Sequence, residues 1–239
     1  LREMNITTLL DKVYFAPRLK KIDFYANRAG ELQHRVLDRL VRMAENTEWG
    51  KKYDYKSIHT YEDFRNRLPI QTYEEVKPYV ERLRAGEQNL LWPSEIRWFA
   101  KSSGTTNDKS KFLPVSKEAL NDTHYQGGKD AVALYLGQNP DSRFFSGQGL
   151  ILGGSHSPNL NSRHGLVGDL SAILIQNIHP LVNSVRVPSK KIALMSDFEK
   201  KIEAIANSAI SKDVTSLSGV PSWMLVLIKR ILEKTGKQS

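Results

Sequence analysis

The sequence predicts an α/β protein in two stretches, a helical segment over residues 1–90 and alternating strands and helices over 91–239. Two observations carry this. Before residue 90, apolar residues recur at the three- and four-residue spacing of amphipathic helices and two capping boxes punctuate the chain. After it, short runs of β-branched and aromatic residues bounded by Pro and Gly alternate with helix-patterned stretches. At 239 residues, 40% hydrophobic and 26% charged, the chain can bury a core and is too apolar for wholesale disorder.

In the first stretch, Leu32, Val36, Leu37, Leu40, Val41 and Ala44 form the apolar stripe of a helix over residues 31–45. Thr60 with Asp63 opens a short helix that stops before Pro69. Thr72 with Glu75 opens a second, closing near Gly86, with Pro78 predicting a kink or a later start. In the second stretch, residues 96–100 and 112–115 read as strands around a polar run. Ser116 caps a helix over 117–136 interrupted by Gly127-Gly128, a pair that would admit close packing. Residues 149–154 read as a buried strand entering a glycine loop, and 155–165 as a polar stretch without pattern. Residues 170–178 are ambiguous between helix and strand, and 191–195 read as a strand. Ser196 with Glu199 is a third capping box, opening a helix with Phe198, Ile202, Ile205, Ala206 and Ala209 inward. Residues 214–217 read as a strand. Pro221 starts a last helix that ends before Gly236.

Composition excludes several functions. The absence of cysteine removes disulfide scaffolds, thiolate metal sites, iron–sulfur clusters and a cysteine nucleophile, and agrees with a cytoplasmic setting. The longest strongly apolar run, 223–228, is far short of the ~20 residues that span a bilayer. The six histidines (His34, His59, His124, His156, His164 and His179) show no paired metal-ligand spacing, so no metal site is expected. Ser155 lacks the G-x-S-x-G of a serine hydrolase. The net charge of +9 invites polyanions. The paired lysines, Lys200-Lys201 among them, are dispersed among acids and read as solvated faces, so nucleic acid is not the expected partner.

The polar run over 101–111 is where chemistry concentrates, with five hydroxyl side chains, one glycine and three lysines. Glycine lets backbone N–H groups approach a ligand, Ser and Thr donate to phosphate oxygens, and Lys supplies charge. It is not a Walker A loop, because Ser103 and Asp108 stand where that motif needs glycine. A plain polar hairpin loop is the alternative from composition alone.

This loop and its flanks, Trp98-Phe99-Ala100 before it and Phe112-Leu113-Pro114-Val115-Ser116 after it, resemble the first nucleotide-binding motif of the auxin-responsive promoter family. Those proteins are acyl acid–amido synthetases, a branch of the adenylate-forming enzymes. Ser102, Ser103, Gly104, Thr105, Thr106 and Lys111 match the pattern S-S-G-T-[ST]-x-G-x-x-K, and Asp108 departs from its second glycine. The resemblance continues at Trp49-Gly50-Lys51-Lys52-Tyr53, at residues 68–73, at Leu91-Trp92-Pro93, at residues 151–155 and at residues 218–223, and looks most like the bacterial members.

The resemblance implies an ATP- and magnesium-dependent ligase that adenylates a small carboxylic acid and passes the acyl group to an amino acid's amine. Ser102, Ser103, Gly104, Thr105, Thr106, Lys109 and Lys111 would hold the ATP phosphates, with Lys111 catalytic through charge on the departing pyrophosphate. Thr123, His124 and Tyr125 would line the acyl pocket, although helix packing also explains them. The family's later motifs are not found, so residues 1–239 read as part of an adenylation domain whose C-terminal remainder is absent. Apolar faces at Leu150-Ile151-Leu152 and over 223–232 are then expected to lie open. The alternative is a non-catalytic basic module that binds RNA or another polyanion.

Overall fold

A computed structural model of the protein describes residues 6–102 and 111–237. The N-terminal part is helical: α1 (Ile6–Leu10), a π turn (Asp11–Phe15), α2 (Ala16–Asn27), α3 (Ala29–Ala44), α4 (Glu48–Lys52), α5 (Tyr61–Arg67) and α6 (Tyr73–Arg84). Then come β1 (Trp98–Lys101), β2 (Phe112–Val115), a π-helical segment (Ala119–Tyr125), α7 (Gln126–Gln138), β3 (Gln148–Leu152), β4 (Leu166–Gly168), α8 (Leu170–Asn177) and α9 (Pro180–Ser184). The chain continues through β5 (Arg186–Val187), α10 (Lys190–Ala193), α11 (Phe198–Ala209), β6 (Val214–Gly219) and α12 (Pro221–Thr235). This is the mixed α/β architecture the pattern predicts. Contacts divide it into two compact units, one of Arg18–Asp130 with Asn159–Val167, the other of Leu1–Pro17, Ala131–Pro158 and Gly168–Ser239.

The unit built on Arg18–Asp130 folds as its capping signals dictate. The Asp63 carboxylate accepts from Thr60 N at 2.9 Å while Thr60 Oγ1 accepts from Asp63 N at 3.1 Å, which starts α5. The Glu75 carboxylate accepts from Thr72 N at 2.6 Å and starts α6. Pro78 stays inside α6, on its exposed side, where water can meet the carbonyl that proline cannot bond. Gly86 ends this helix at φ +106°, with the His164 ring packed where a side chain would stand. The stripe of α3 is narrower than its spacing suggests. Val41 and Ala44 are buried against Tyr55 and Ile58, whereas Val36 and Leu40 are exposed. A second cluster joins Val80 and Leu83 of α6 to Leu90, Ile96, Phe99 and Val167. Over it lies a sheet of order β2-β1-β4, with β1 and β2 antiparallel and Lys101 opposite Phe112.

In the other unit β3 runs parallel to β5 and to β6, in the order β5-β3-β6. Leu150 and Leu152 pack with Ile202, Ile205 and Ala206 of α11 and with Met224 and Leu227 of α12. These strand residues are therefore buried, against expectation. The last helix divides instead, with Leu225 and Val226 exposed and Met224 and Leu227 inward.

Three further expectations are corrected. The predicted strand at 191–195 is the short helix α10, begun after Ser189, because Ala193 N reaches back to the Ser189 carbonyl. The cap of α11 is Asp197, whose carboxylate accepts from Lys200 N at 3.1 Å, and the Ser196–Glu199 box is one residue out of register. Gly127 and Gly128 neither interrupt the helix nor admit a neighbour, since a Cβ at either would meet open space. Of residues 170–178, ambiguous by pattern, Leu170–Asn177 form the helix α8, which begins after Asp169.

Candidate functional site

The two strands predicted around the polar run are present as β1 and β2, and of the run itself Lys101, Ser102 and Lys111 are described. Ser102 and Lys111 form its neck: Ser102 N donates to the Lys111 carbonyl at 2.9 Å, and Lys111 N donates to Ser102 Oγ at 3.2 Å. The Ser102 hydroxyl thus spends a lone pair on closing the neck and keeps its own hydrogen to donate. The exposed ammonium of Lys111 lies over the Tyr73 ring, 5.4 Å from its centroid. Ser103, Gly104, Thr105, Thr106 and Lys109 fall outside the described residues.

The neck is braced from below. Tyr73, first residue of α6, accepts at its hydroxyl from Phe112 N at 2.9 Å. The Arg84 guanidinium covers the Phe112 ring at 4.0 Å, and its Nη2 donates to the Leu160 carbonyl at 2.9 Å. The Ser102 hydroxyl and the exposed Lys111 ammonium are thereby held at the two ends of the Ser/Thr-rich run, a donor and a charge of the kind that anionic oxygens accept.

Thr123, His124 and Tyr125 share the π-helical segment, Thr123 exposed and the other two half-buried. Burial pushes the Tyr125 phenol above its ordinary range, so it stays protonated and able to donate at neutral pH. An Arg39–Asp122 ion pair at 3.0 Å ties the segment to α3.

Residues 18–239 match the model of the GH3 family N-terminal domain. The chain belongs to the GH3 family. Among curated relatives, an indole-3-acetic acid-amido synthetase, GH3.2 of Arabidopsis thaliana, is 30% identical over 103 residues, which cover 43% of this chain and 19% of that protein. The jasmonoyl–L-amino acid synthetase JAR4 of Nicotiana attenuata is 26% identical over 106 residues, 44% of this chain and 18% of that one. The solved structure of the GH3.15 acyl acid amido synthetase superposes with a TM-score of 0.69 at 20% identity, covering 90% of this chain and 38% of that one. That likeness establishes the fold. These alignments take in less than a fifth of the length of either curated relative.

The GH3 chain also carries a feature that sequence reasoning misread. Lys201, expected on a solvated helix face, is 1% exposed. Its ammonium donates to the carbonyls of Gly153 at 2.9 Å and Gly154 at 2.8 Å, and to Ser155 Oγ at 3.1 Å. The glycine turn after β3 is thereby fastened to α11. Gly154 N donates to Ser171 Oγ and Ser155 N to the Asp169 carboxylate, each at 2.8 Å, so the amides of this turn are spent within the protein. Burial lowers the Lys201 pKa to about 8, against the opposing charge of Asp169. Burial likewise pushes the His156 imidazole below its ordinary range, with a further contribution from the Lys201 ammonium. Among the described residues, no group of acidic or imidazole side chains could hold a metal ion, and no helix is long and apolar enough to cross a membrane.

Proposed function

We propose that this chain is the part of an acyl acid–amido synthetase that holds the phosphates of ATP. In this reading the whole protein adenylates a small carboxylic acid and transfers the acyl group to an amino acid, as the names of its relatives suggest. The observation that carries it is the neck, where Ser102 and Lys111 close the base of a loop matching the family's phosphate-binding pattern.

The chemistry asked of these residues is electrostatic. When a carboxylate attacks the α-phosphorus, negative charge grows on the departing pyrophosphate. A preorganised ammonium at Lys111, with the hydroxyls and amides of Ser102, Ser103, Gly104, Thr105 and Thr106 and the charge of Lys109, stabilises that charge. Magnesium bound to phosphate oxygens would neutralise part of the same charge, with few protein ligands required. No nucleophilic side chain is needed, because the substrate carboxylate is the nucleophile. Thr123, His124 and Tyr125 are assigned to the acid's pocket, with the Tyr125 phenol as a neutral donor. The setting is cytoplasmic in this reading.

Hydrogen exchange of the full-length gene product tests the assignment. Mg-ATP is expected to slow exchange of the amides at 102–111, ATP with a chelator to do so less, and an RNA oligonucleotide not at all. Protection by RNA, with a binding constant falling steeply as salt rises, would favour a polyanion-binding module instead.

A further inference from the structure

Phe112 N–H belongs to the first residue of β2, which lies at the edge of its sheet with β1 as neighbour on one side. Its position fixes where the chain leaves the polar loop, and hence where Lys111 stands. Two groups of α6 hold Phe112. The Tyr73 hydroxyl takes its N–H at 2.9 Å, and Arg84 covers its ring at 4.0 Å. Tyr73 makes a second contact with the same turn, placing its ring under the Lys111 ammonium at 5.4 Å.

The reach of Tyr73 is set in turn by the start of α6. The Glu75 carboxylate accepts from both the backbone N and the hydroxyl of Thr72, at 2.6 and 2.8 Å, so the residue that follows enters the helix in a fixed orientation. The capping box, the tyrosine, the strand end and the lysine form one continuous chain of contacts.

We infer that Tyr73 is a positioning residue for Lys111: its hydroxyl fixes the strand end and its ring fixes the ammonium, so that Lys111 meets the phosphates without reorganising. This rests on the phosphate-loop reading above. A lysine on a flexible four-carbon stem loses much of its freedom when its charge must sit at one point. A ring beneath it and a pinned backbone remove part of that loss before charge grows on the departing pyrophosphate, so the gain falls on turnover. The aromatic face attracts the cation without neutralising it, as a carboxylate would.

The test is a double-mutant cycle on acid-dependent exchange of labelled pyrophosphate into ATP, run with the full-length gene product. Tyr73→Phe keeps the ring and loses the hydroxyl, and should lower kcat about fivefold. Tyr73→Leu loses both contacts and should lower it about tenfold or more, with the KM for ATP held within about twofold. In a Lys111→Ala background, Tyr73→Leu should cause no further loss, because nothing remains for it to place. A loss of the same size in both backgrounds would show a merely structural role and overturn the inference. So would a normal rate in both Tyr73 variants alongside an impaired Lys111→Ala, a result that leaves the phosphate-loop reading standing. Absent exchange in the wild type, or unimpaired exchange in Lys111→Ala, would sink that reading and this inference with it.

Discussion

The ammonium of Lys201 lies 2.8 Å from the carbonyl oxygen of Gly154, buried beneath the turn that ends the central strand of the parallel sheet. Its pKa of about 8 in the folded protein compares with roughly 10.4 for a free lysine side chain. Between those values the unfolded chain binds more protons than the folded one, so stability is expected to rise with pH from about 8 to about 10.4. The burden of the buried charge is full below that window and relieved as pH climbs through it, by on the order of 2–3 kcal/mol. Urea unfolding at pH 7 and pH 9.5 checks this. The rise should be present in the wild type and nearly absent in Lys201→Met, and equal slopes in the two would show that Lys201 titrates normally.

The glycines separate into two kinds. A Cβ on Gly154 would collide with the Asp169 carboxylate, whereas one on Gly127 would meet nothing. Gly127→Ala is expected to stabilise the protein by about 1 kcal/mol, since alanine is the better helix former and finds open space. Gly154→Ala is expected to destabilise it by about 2 kcal/mol or more, through overpacking against Asp169. Thermal melting of the two variants should move in opposite directions.

The start of α11 discriminates between spacing and geometry. Asp197→Ala removes the carboxylate that accepts from Lys200 N and should cost about 1 kcal/mol. Ser196→Ala should stay within about 0.5 kcal/mol. Denaturant midpoints for the pair decide it, and the reverse ranking would restore the Ser196 box.

The bidentate pair of Arg18 with Asp130 gives a prediction in acid. Hydrogen bonding to Arg18, with a smaller contribution from Gln126, holds the Asp130 carboxyl below the usual range despite partial burial. The stability this contributes is complete above the unfolded pKa of about 3.9 and is lost as pH falls through the lower folded value. Wild type minus Arg18→Met stability should therefore shrink between pH 5 and pH 3. A difference that stays constant over that range would show that the pair does not couple to folding.

What the sequence reveals about this molecule follows the range of the interactions involved. The boxes at Thr60 and Thr72, the strand at Phe112–Val115 and the stop at Gly236 rest on neighbours within four residues, and each stands where local rules place it. The strands on either side of the polar run were readable too. The hydrogen bonds that pair Ser102 with Lys111 were not, since a motif match does not say which of its residues face one another. Nor was Tyr73, whose partners lie 39 residues away in the chain. Lys201 shows a different limit. It falls on the same three-and-four spacing as Phe198, Ile205 and Ala209, so its inward position was visible, but residue type argued for the solvent side. The convergence of two glycine carbonyls and a serine hydroxyl, together with the opposing charge of Asp169, makes burying the ammonium tolerable. The two-residue strand β5 and the four-residue helix α10 are too short for any period to register.

The most direct test of the central claim is pyrophosphate exchange by the full-length gene product carrying Lys111→Ala, measured beside Lys229→Ala, a substitution on the exposed side of α12. If Lys111 stabilises charge on the departing pyrophosphate, its loss should lower acid-dependent exchange by ~10²–10³, with the fall in turnover and little change in the apparent affinity for the acid. Lys229→Ala should exchange at the wild-type rate. Exchange by Lys111→Ala equal to that of Lys229→Ala would contradict the account.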